Sequence, residues 1–326
     1  MKKLKIAYFG TPYFSAIFLE KLMLDASINR LIEVKLVVTQ PDKPVGRKQI
    51  MTKSPVKVVA EKYGIKVYDK DVNNLKLKIK NFDLAFLYSF GPPYIPKDLL
   101  NVPKYGFLNT HPSLLPKYRG PSPTVYPFIL GDKKTGVTLI RLDEKVDHGQ
   151  IIAQKEIEIL HSYKRPDLEA RLTDLAFIMF KKQISTALPH RIPEKSWLQQ
   201  NHASATFTRK LTKEDGFIDL AILKAAINNQ PSNIHWIPKI ISDYYRQNAK
   251  VQQSEIYSLT STIYNLFSGL YPWPGIWTKV RIKEKDLRLK LTDADLIGNK
   301  LIIKKVQLEG KKEVDFQTFV RAYRIF

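Results

Sequence analysis

Two polar side chains two positions apart, Asn109 and His111, close the apolar run Phe107-Leu108. They precede Pro112-Ser113-Leu114-Leu115-Pro116-Lys117-Tyr118-Arg119-Gly120-Pro121. In an extended strand, residues i and i+2 share a face, so the amide and the imidazole project together. Such a pair suits hydrogen bonding to an oxygen that gains negative charge, and the passage of a proton. A carboxylate adds to it. Asp147 lies in Leu142-Asp143-Glu144-Lys145-Val146-Asp147-His148-Gly149, a turn between two strand-like runs. A buried carboxylate there would orient His111 and favour its charged form. Asp143 has an equal claim by composition, and an aspartate in a turn is also a simple turn former. For Asn109 and His111 taken alone, a capped turn with a satisfied histidine is the better account.

Other chemistries find less support. No two of the 6 histidines stand four apart as in a helical zinc motif, and no metal is expected. With 0 cysteines the chain has no disulfide, thiolate nucleophile or cysteine-ligated metal. Gly10-Thr11-Pro12 looks like a phosphate-cradling turn, but the spaced glycines of a dinucleotide fingerprint are missing, so no nicotinamide cofactor is expected. Thr39-Gln40-Pro41-Asp42-Lys43-Pro44-Val45-Gly46-Arg47-Lys48 is a stiffened loop whose Lys43, Arg47 and Lys48 could lean on a phosphate backbone. By itself the same loop reads as a solvated one.

The elements that would carry these groups follow an alternating pattern. Ile6 to Phe9 reads as a buried strand, with Thr11 as cap and Pro12 as first residue of the next helix. Its stripe runs through Phe14, Ile17, Phe18 and Leu22. Val34 to Val38 is a second strand. Lys53 to Lys62 forms a helix opened by Ser54-Pro55, and Ile65 to Tyr68 a short strand. Leu84 to Tyr88 and Phe107 to Asn109 are two more buried strands. This rhythm predicts an α/β fold with a mostly parallel, doubly wound, Rossmann-like sheet. Val137 to Leu142 and Ile151 to Ile159 add longer strands, and Pro166 opens a helix that ends at Leu188-Pro189. From Pro189 to Thr206 the pattern dissolves into polar residues. After Thr208 the texture changes to a helix near Ile256 to Phe267, capped at Gly269. Short strands follow at Trp277 to Ile282, Leu287 to Leu291, Lys300 to Val306 and Glu313 to Phe316, which suggest a small β-barrel. The organisation expected is a domain over 1–189, a linker over 190–207 and a second domain over 208–326.

Bulk properties bound this reading. A chain of 326 residues, 44% hydrophobic and 26% charged, suits a soluble protein of two domains. No apolar run nears the roughly 20 residues that span a bilayer, and the cytoplasm is the expected compartment. The net charge of +22 attracts polyanions, nucleic acid above all. The excess is spread almost evenly over the two halves, however, so a general lysine bias explains it equally well.

The run Asn109 to Pro116 resembles the active-site strand of the folate-dependent formyltransferases. Gly136-Val137-Thr138, leading to Asp147-His148-Gly149, resembles that family's second signature. Three further pieces resemble the branch that formylates methionyl-tRNA. They are Phe9 to Ser15; Gln40 to Arg47 with Ser54-Pro55-Val56-Lys57; and Ala205 to Leu211 with Asp215 to Asp219, then Tyr271-Pro272-Trp273-Pro274-Gly275. The likeness implies a Rossmann-like catalytic domain joined to an OB-fold-like tRNA-binding barrel. It implies 10-formyltetrahydrofolate as co-substrate, methionyl-tRNA as partner, and a monomer. Carried over by position, Asn109, His111 and Asp147 form the catalytic trio. Folate contacts fall on Tyr88, Phe90, Gly91, Pro92, Ser113, Leu114, Leu115, Pro116 and Asp143, and tRNA contacts on Lys43, Arg47, Lys48, Arg209 and Lys210. Tyr13 and Leu220 stand where the family has aspartate and tryptophan. Residues 221–253, with Trp236, Tyr244, Tyr245 and Arg246, match nothing in the pattern and read as an insertion packed on the barrel. Rival readings are a formyltransferase for a small amine such as an amino sugar nucleotide, a hydrolase with the same trio, and an inactive RNA-binding relative.

Overall fold

The structure, a computed structural model, describes residues 2–46, 48–92, 94–186, 197–228, 236–251 and 258–326. Along the chain run β1 (Leu4–Gly10), α1 (Tyr13–Leu24), β2 (Ile32–Val38), β3 (Lys43–Val45), β4 (Ile50–Thr52), α2 (Pro55–Lys62) and β5 (Lys66–Tyr68). Then come α3 (Lys76–Ile79), β6 (Leu84–Tyr88), β7 (Phe107–His111), α4 (Tyr126–Ile129), β8 (Lys134–Arg141), β9 (Ile151–Glu158) and α5 (Arg165–Thr186). The chain continues with α6 (Leu220–Ile227), α7 (Lys239–Gln247), α8 (Leu259–Leu270), β10 (Trp277–Ile282), β11 (Lys285–Ile297), β12 (Lys300–Leu308), β13 (Glu313–Asp315) and α9 (Phe316–Tyr323). The expected helix end at Leu188-Pro189 and linker residues 190–196 lie outside the described residues.

Two compact units emerge. The first holds Met1–Pro121, Thr135–Ile157 and Glu169–Ala205; the second holds Ser122–Lys134, Glu158–Leu168 and Thr206–Phe326. The chain thus enters the second unit twice before Thr206.

In the first unit a seven-stranded sheet has the order β5-β2-β1-β6-β7-β8-β9. β5, β2, β1, β6 and β7 run parallel, and β8 turns antiparallel to β7. The strands were legible as continuous apolar runs because helices cover both faces of a parallel sheet. Side chains alternate between the faces. Tyr8 and Phe86 meet Phe18 of α1 and Phe180 of α5 in an aromatic cluster. Ala7, Phe9, Ala85, Leu87 and Phe107 fill the opposite core with Leu36, Val38 and Phe90. The order of connection reverses between β1 and β6, so the carboxyl ends of β1, β6 and β7 border the crevice where such sheets bind ligands.

Thr11 does something other than cap α1. The helix is preceded by Pro12 without a side-chain cap, and the Thr11 hydroxyl donates to the Phe90 carbonyl at 2.7 Å. It ties the end of β1 to the end of β6, a long-range use that a local capping rule does not foresee. By contrast Ser54 caps α2 as expected, its hydroxyl accepting from Lys57 N–H.

The loop over Thr39 to Lys48 is the near strand of an antiparallel hairpin, β3 with β4. Its foot is closed by a 2.7 Å hydrogen bond between the Thr39 and Ser54 hydroxyls and by Lys57, which sits 2.8 Å from both Asp42 and Asp69. Those two carboxylates hold the Lys57 ammonium charged well beyond its usual range.

The second unit contains a four-stranded antiparallel sheet in the order β10-β11-β12-β13. A bulge in β11 at Asp293 bends the long strand. Helix α8 starts at a Ser258 cap, so Ile256 lies outside the described residues. Gly269 is not a cap: it is buried inside α8, where a Cβ would lie 2.9 Å from that of Phe128 and 3.1 Å from Ile129 Cγ2. It is glycine because α4 packs there. Residues 221–228 and 236–251 form most of α6 and all of α7, while 229–235 and 252–253 lie outside the described residues. Ile240, Ile241 and Tyr244 of α7 are buried, with the Tyr244 ring 5.2 Å from that of Tyr126. Asn248 clamps the Phe207 backbone through N–H at 2.7 Å and C=O at 3.1 Å. No helix among the described residues is long and apolar enough to cross a membrane.

Candidate functional site

The carboxyl end of β7 presents Asn109 and His111, both buried. The strand extends two residues beyond Asn109, so both side chains hang from rigid sheet. Asp147 reaches them from the β8–β9 turn. Its Oδ1 lies 3.4 Å from His111 Nδ1 and accepts from Asn109 Nδ2 at 3.3 Å. Its Oδ2 accepts from Gly120 N–H at 2.8 Å. His111 Nε2 is 2.9 Å from the Tyr118 carbonyl. A carbonyl only accepts, so Nε2 carries hydrogen and Nδ1 is the edge turned to Asp147. Of the two aspartates left open by composition, Asp147 is the one brought to the histidine. Asp143 instead accepts from Lys145 N–H and pairs with His148 Nδ1 at 2.6 Å.

The turn that carries Asp147 is held in an uncommon shape. Asp147 has φ +48°, in the left-handed region that costs a non-glycine residue about 1–2 kcal/mol. Gly149 follows where a Cβ would fall 1.7 Å from the Arg141 carbonyl oxygen. From the polar stretch after α5, Gln200 donates through Nε2 to the carbonyls of Asp147 at 2.9 Å and Gly149 at 2.7 Å. Its Oε1 accepts from Arg119 Nη2 at 2.6 Å, and Nη2 also meets His202 Nδ1 at 2.8 Å. The His202 and His148 rings stack 3.8 Å apart, 5° from parallel. Leu198 and Ile151 exchange backbone hydrogen bonds of 2.8 and 2.9 Å, which lays this stretch along the start of β9. Sequence reading gave Arg119, Gln200 and His202 no role. The one signal available was a set of polar side chains that turned out buried or paired, and neither period nor spacing reveals that.

The other expected site residues divide by what their side chains do. Tyr88 and Phe90 point into the core, the Tyr88 hydroxyl 3.0 Å from that of Thr173 and Phe90 edge-on to Phe9. Burial pushes the Tyr88 phenol well above its usual range. Ser113 donates to the Lys117 carbonyl at 2.6 Å, and Leu115 packs with Ile140 and Ile151. These four residues are buried, main chain included, and the backbone groups of Ser113 and Leu115 are hydrogen-bonded within the protein. Gly91, with φ +84°, and Pro92 are exposed beside them. The Leu115-Pro116 bond is cis, and Leu114 packs within reach of Gly136. Lys43 and Lys48 are exposed on the hairpin, Lys210 is exposed in the second unit, and Arg47 lies outside the described residues. Arg209 is paired within the second unit. Its guanidinium is engaged by Asp215 at 2.6 and 2.9 Å and by Asp243 at 2.9 Å. Among the described residues no three His, Asp or Glu side chains gather as a metal set would.

Residues 4–184 match the Formyl transferase family. The sequence is 33% identical to "Methionyl-tRNA formyltransferase" of Caldicellulosiruptor saccharolyticus, over 98% of this chain and 97% of that one. The chain belongs to the methionyl-tRNA formyltransferase family. The fold is shared with a 4-N formyltransferase from Francisella tularensis (TM-score 0.57, 16% identity, 87% of this chain and 96% of that one). It is also shared with a sugar 3N-formyl transferase solved in the presence of dTDP and 5-N-formyl-THF (TM-score 0.54, 19% identity, 96% and 100%).

Proposed function

We propose that this enzyme transfers the formyl group of 10-formyltetrahydrofolate to the α-amino group of charged initiator methionyl-tRNA, in the cytoplasm and as a monomer. The observation that carries this reading is the meeting of Asn109, His111 and Asp147 at one sheet edge, in a chain alike end to end with methionyl-tRNA formyltransferases.

A reduced pterin fits a wall made of main chain, because its ring edge alternates donors and acceptors. Tyr88, Phe90, Ser113 and Leu115 are buried, and the exposed main chain of Gly91 and Pro92 beside them is what such a ring would meet. When bound, the folate supplies a formyl carbon already activated on nitrogen. The attacking amine has a reference pKa of about 7.7–8.0, so a useful neutral fraction exists near neutral pH and activation is the smaller task. Asn109 has two amide N–H groups. One is committed to Asp147, and the other is offered to the formyl oxygen as it gains charge, an interaction whose loss costs about 10²–10³ in rate. His111 turns its Nδ1 edge to Asp147 and shares in moving the proton. Asp147 accepts the proton released by the incoming amine and, with His111, returns it to the folate nitrogen as the old C–N bond breaks. Lys43, Arg47, Lys48 and Lys210 take phosphate contacts.

The test offers the purified enzyme 10-formyltetrahydrofolate with charged initiator tRNA, an amino sugar nucleotide or glycinamide ribonucleotide in parallel. Formyl-methionyl-tRNA should form fastest by orders of magnitude. Preference for a small amine, or formate release without acceptor, would replace this reading with one of its rivals.

A further inference from the structure

We propose that Gln200 is a positioning residue for the transfer reaction: clamped by Arg119, it fixes the backbone of the Asp147 turn and so the distance between the Asp147 carboxylate and His111. The proposal rests on the reading that Asp147 handles the proton.

The geometry leaves the Gln200 amide one orientation. Arg119, buried at 3% exposure, has only donors, and its Nε and Nη2 lie 3.3 and 2.6 Å from Gln200 Oε1. The oxygen must therefore face Arg119, and the nitrogen must face the two carbonyls. Both hydrogens of that nitrogen are used, one on Asp147 and one on Gly149. Both carbonyls follow the bond about which Asp147 takes its positive φ, and they bracket His148. A backbone in that region persists only when its surroundings hold it, and Gln200 supplies two of the holding contacts from outside the turn. The Asp147 side chain is fixed separately, by Gly120 N–H. Releasing the main chain while Gly120 still grips the carboxylate would rotate Oδ1 away from His111, whose 3.4 Å separation leaves little to lose. A displacement near 1 Å at a reacting group costs on the order of 100-fold in rate.

Gln200→Glu separates this role from plain support of the fold. Glutamate keeps the size of glutamine and strengthens the pair with Arg119, but it turns an acceptor oxygen toward the two carbonyls. If Gln200 only anchors its segment through Arg119, Gln200→Glu should match the wild type in turnover. If it positions Asp147, kcat should fall about 10- to 100-fold, with KM for tRNA and folate within about threefold and a melting temperature close to wild type. Gln200→Asn serves as an uncharged second variant: its shorter amide keeps the donors but falls short of the carbonyls, and kcat should fall with KM again unmoved. Combining Gln200→Glu with Asp147→Asn should lose no more than Asp147→Asn alone, because both act through one carboxylate. Wild-type kcat in both Gln200 variants, or losses that multiply in the double variant, would overturn the proposal while leaving the trio in place. Wild-type turnover in Asp147→Asn would instead remove the reading on which it rests.

Discussion

His111 holds Asp147 with one edge and the Tyr118 carbonyl with the other: Nδ1 is 3.4 Å from Oδ1, and Nε2 is 2.9 Å from the carbonyl oxygen. Tyr118 itself has φ +63°, so the turn after β7 is bent to aim that carbonyl at the ring. The Tyr118 carbonyl thereby fixes the plane of the ring and the hydrogen on Nε2, and Nδ1 is the edge shared with Asp147. This is the arrangement of a base oriented by a backbone acceptor and paired with a carboxylate.

Asp147→Asn keeps the shape and the acceptor for Gly120 N–H but loses the charge. Turnover should fall by about 10²–10⁴, the usual worth of a positioned acid–base group, while tRNA affinity stays within about threefold. Single-turnover formylation beside a filter-binding titration reads both quantities. Near-normal turnover would exclude Asp147 from the proton path.

The hairpin should act through charge. Lys43→Ala and Arg47→Ala should each weaken tRNA binding and reduce the slope of log affinity against log salt by about 0.7–0.9, with kcat at saturating tRNA unchanged. An unchanged slope in both variants would make the hairpin a merely solvated projection. Lys57 is a different kind of lysine, since its ammonium is spent on Asp42 and Asp69 at the hairpin's foot.

The strands and the meeting of Asn109, His111 and Asp147 were legible in the sequence for separate reasons. Residues such as Ile6 to Phe9 are buried on both faces, and continuous apolar runs announce that. Asn109 and His111 share a strand face by spacing alone, but the choice of Asp147 over Asp143 came from the family likeness, and Asp147 is the one that lies beside His111. Gln200 and Arg119 were invisible because nothing in a polar, aperiodic stretch says which turn it will lie against. Thr11 and Gly269 were misread for one cause: local rules give threonine to helix starts and glycine to helix ends, whereas tertiary contacts with Phe90 and Phe128 decide both positions here.

Gly269→Ala tests that reassignment through the sign of its effect. In an exposed helix interior the change would stabilise by about 1 kcal/mol. Against Phe128 Cβ at 2.9 Å and the Val125 carbonyl at 3.1 Å it should instead destabilise by roughly 1–3 kcal/mol, the usual cost of overpacking. Denaturant melts of the full chain distinguish the two, and a stabilised variant would mean that α4 and α8 do not meet as described.

Arg209 was expected on the tRNA surface, and its surroundings imply a stability role with a defined pH signature. The Asp215 side chain is 1% exposed and depends on Arg209 for its countercharge, so Arg209→Ala should cost about 3 kcal/mol, as removing one partner of a buried pair does. The neighbouring Asp243 carboxyl is held below its ordinary range, chiefly by Lys239, with burial opposing and Arg209 assisting. A depressed folded-state value means that the unfolded chain takes up the proton first. The stability Asp243 contributes is therefore complete above the unfolded value of about 3.9 and drains away as pH falls through the folded one. Asp243→Asn should flatten the acid limb of stability below about pH 4, with little change in the shape of the curve at neutral pH. Salt titrations of tRNA binding separate this from a role on phosphate: Arg209→Ala, measured where it remains folded, should keep the wild-type slope, and a slope lowered by about 0.7–0.9 would put its guanidinium on the nucleic acid after all.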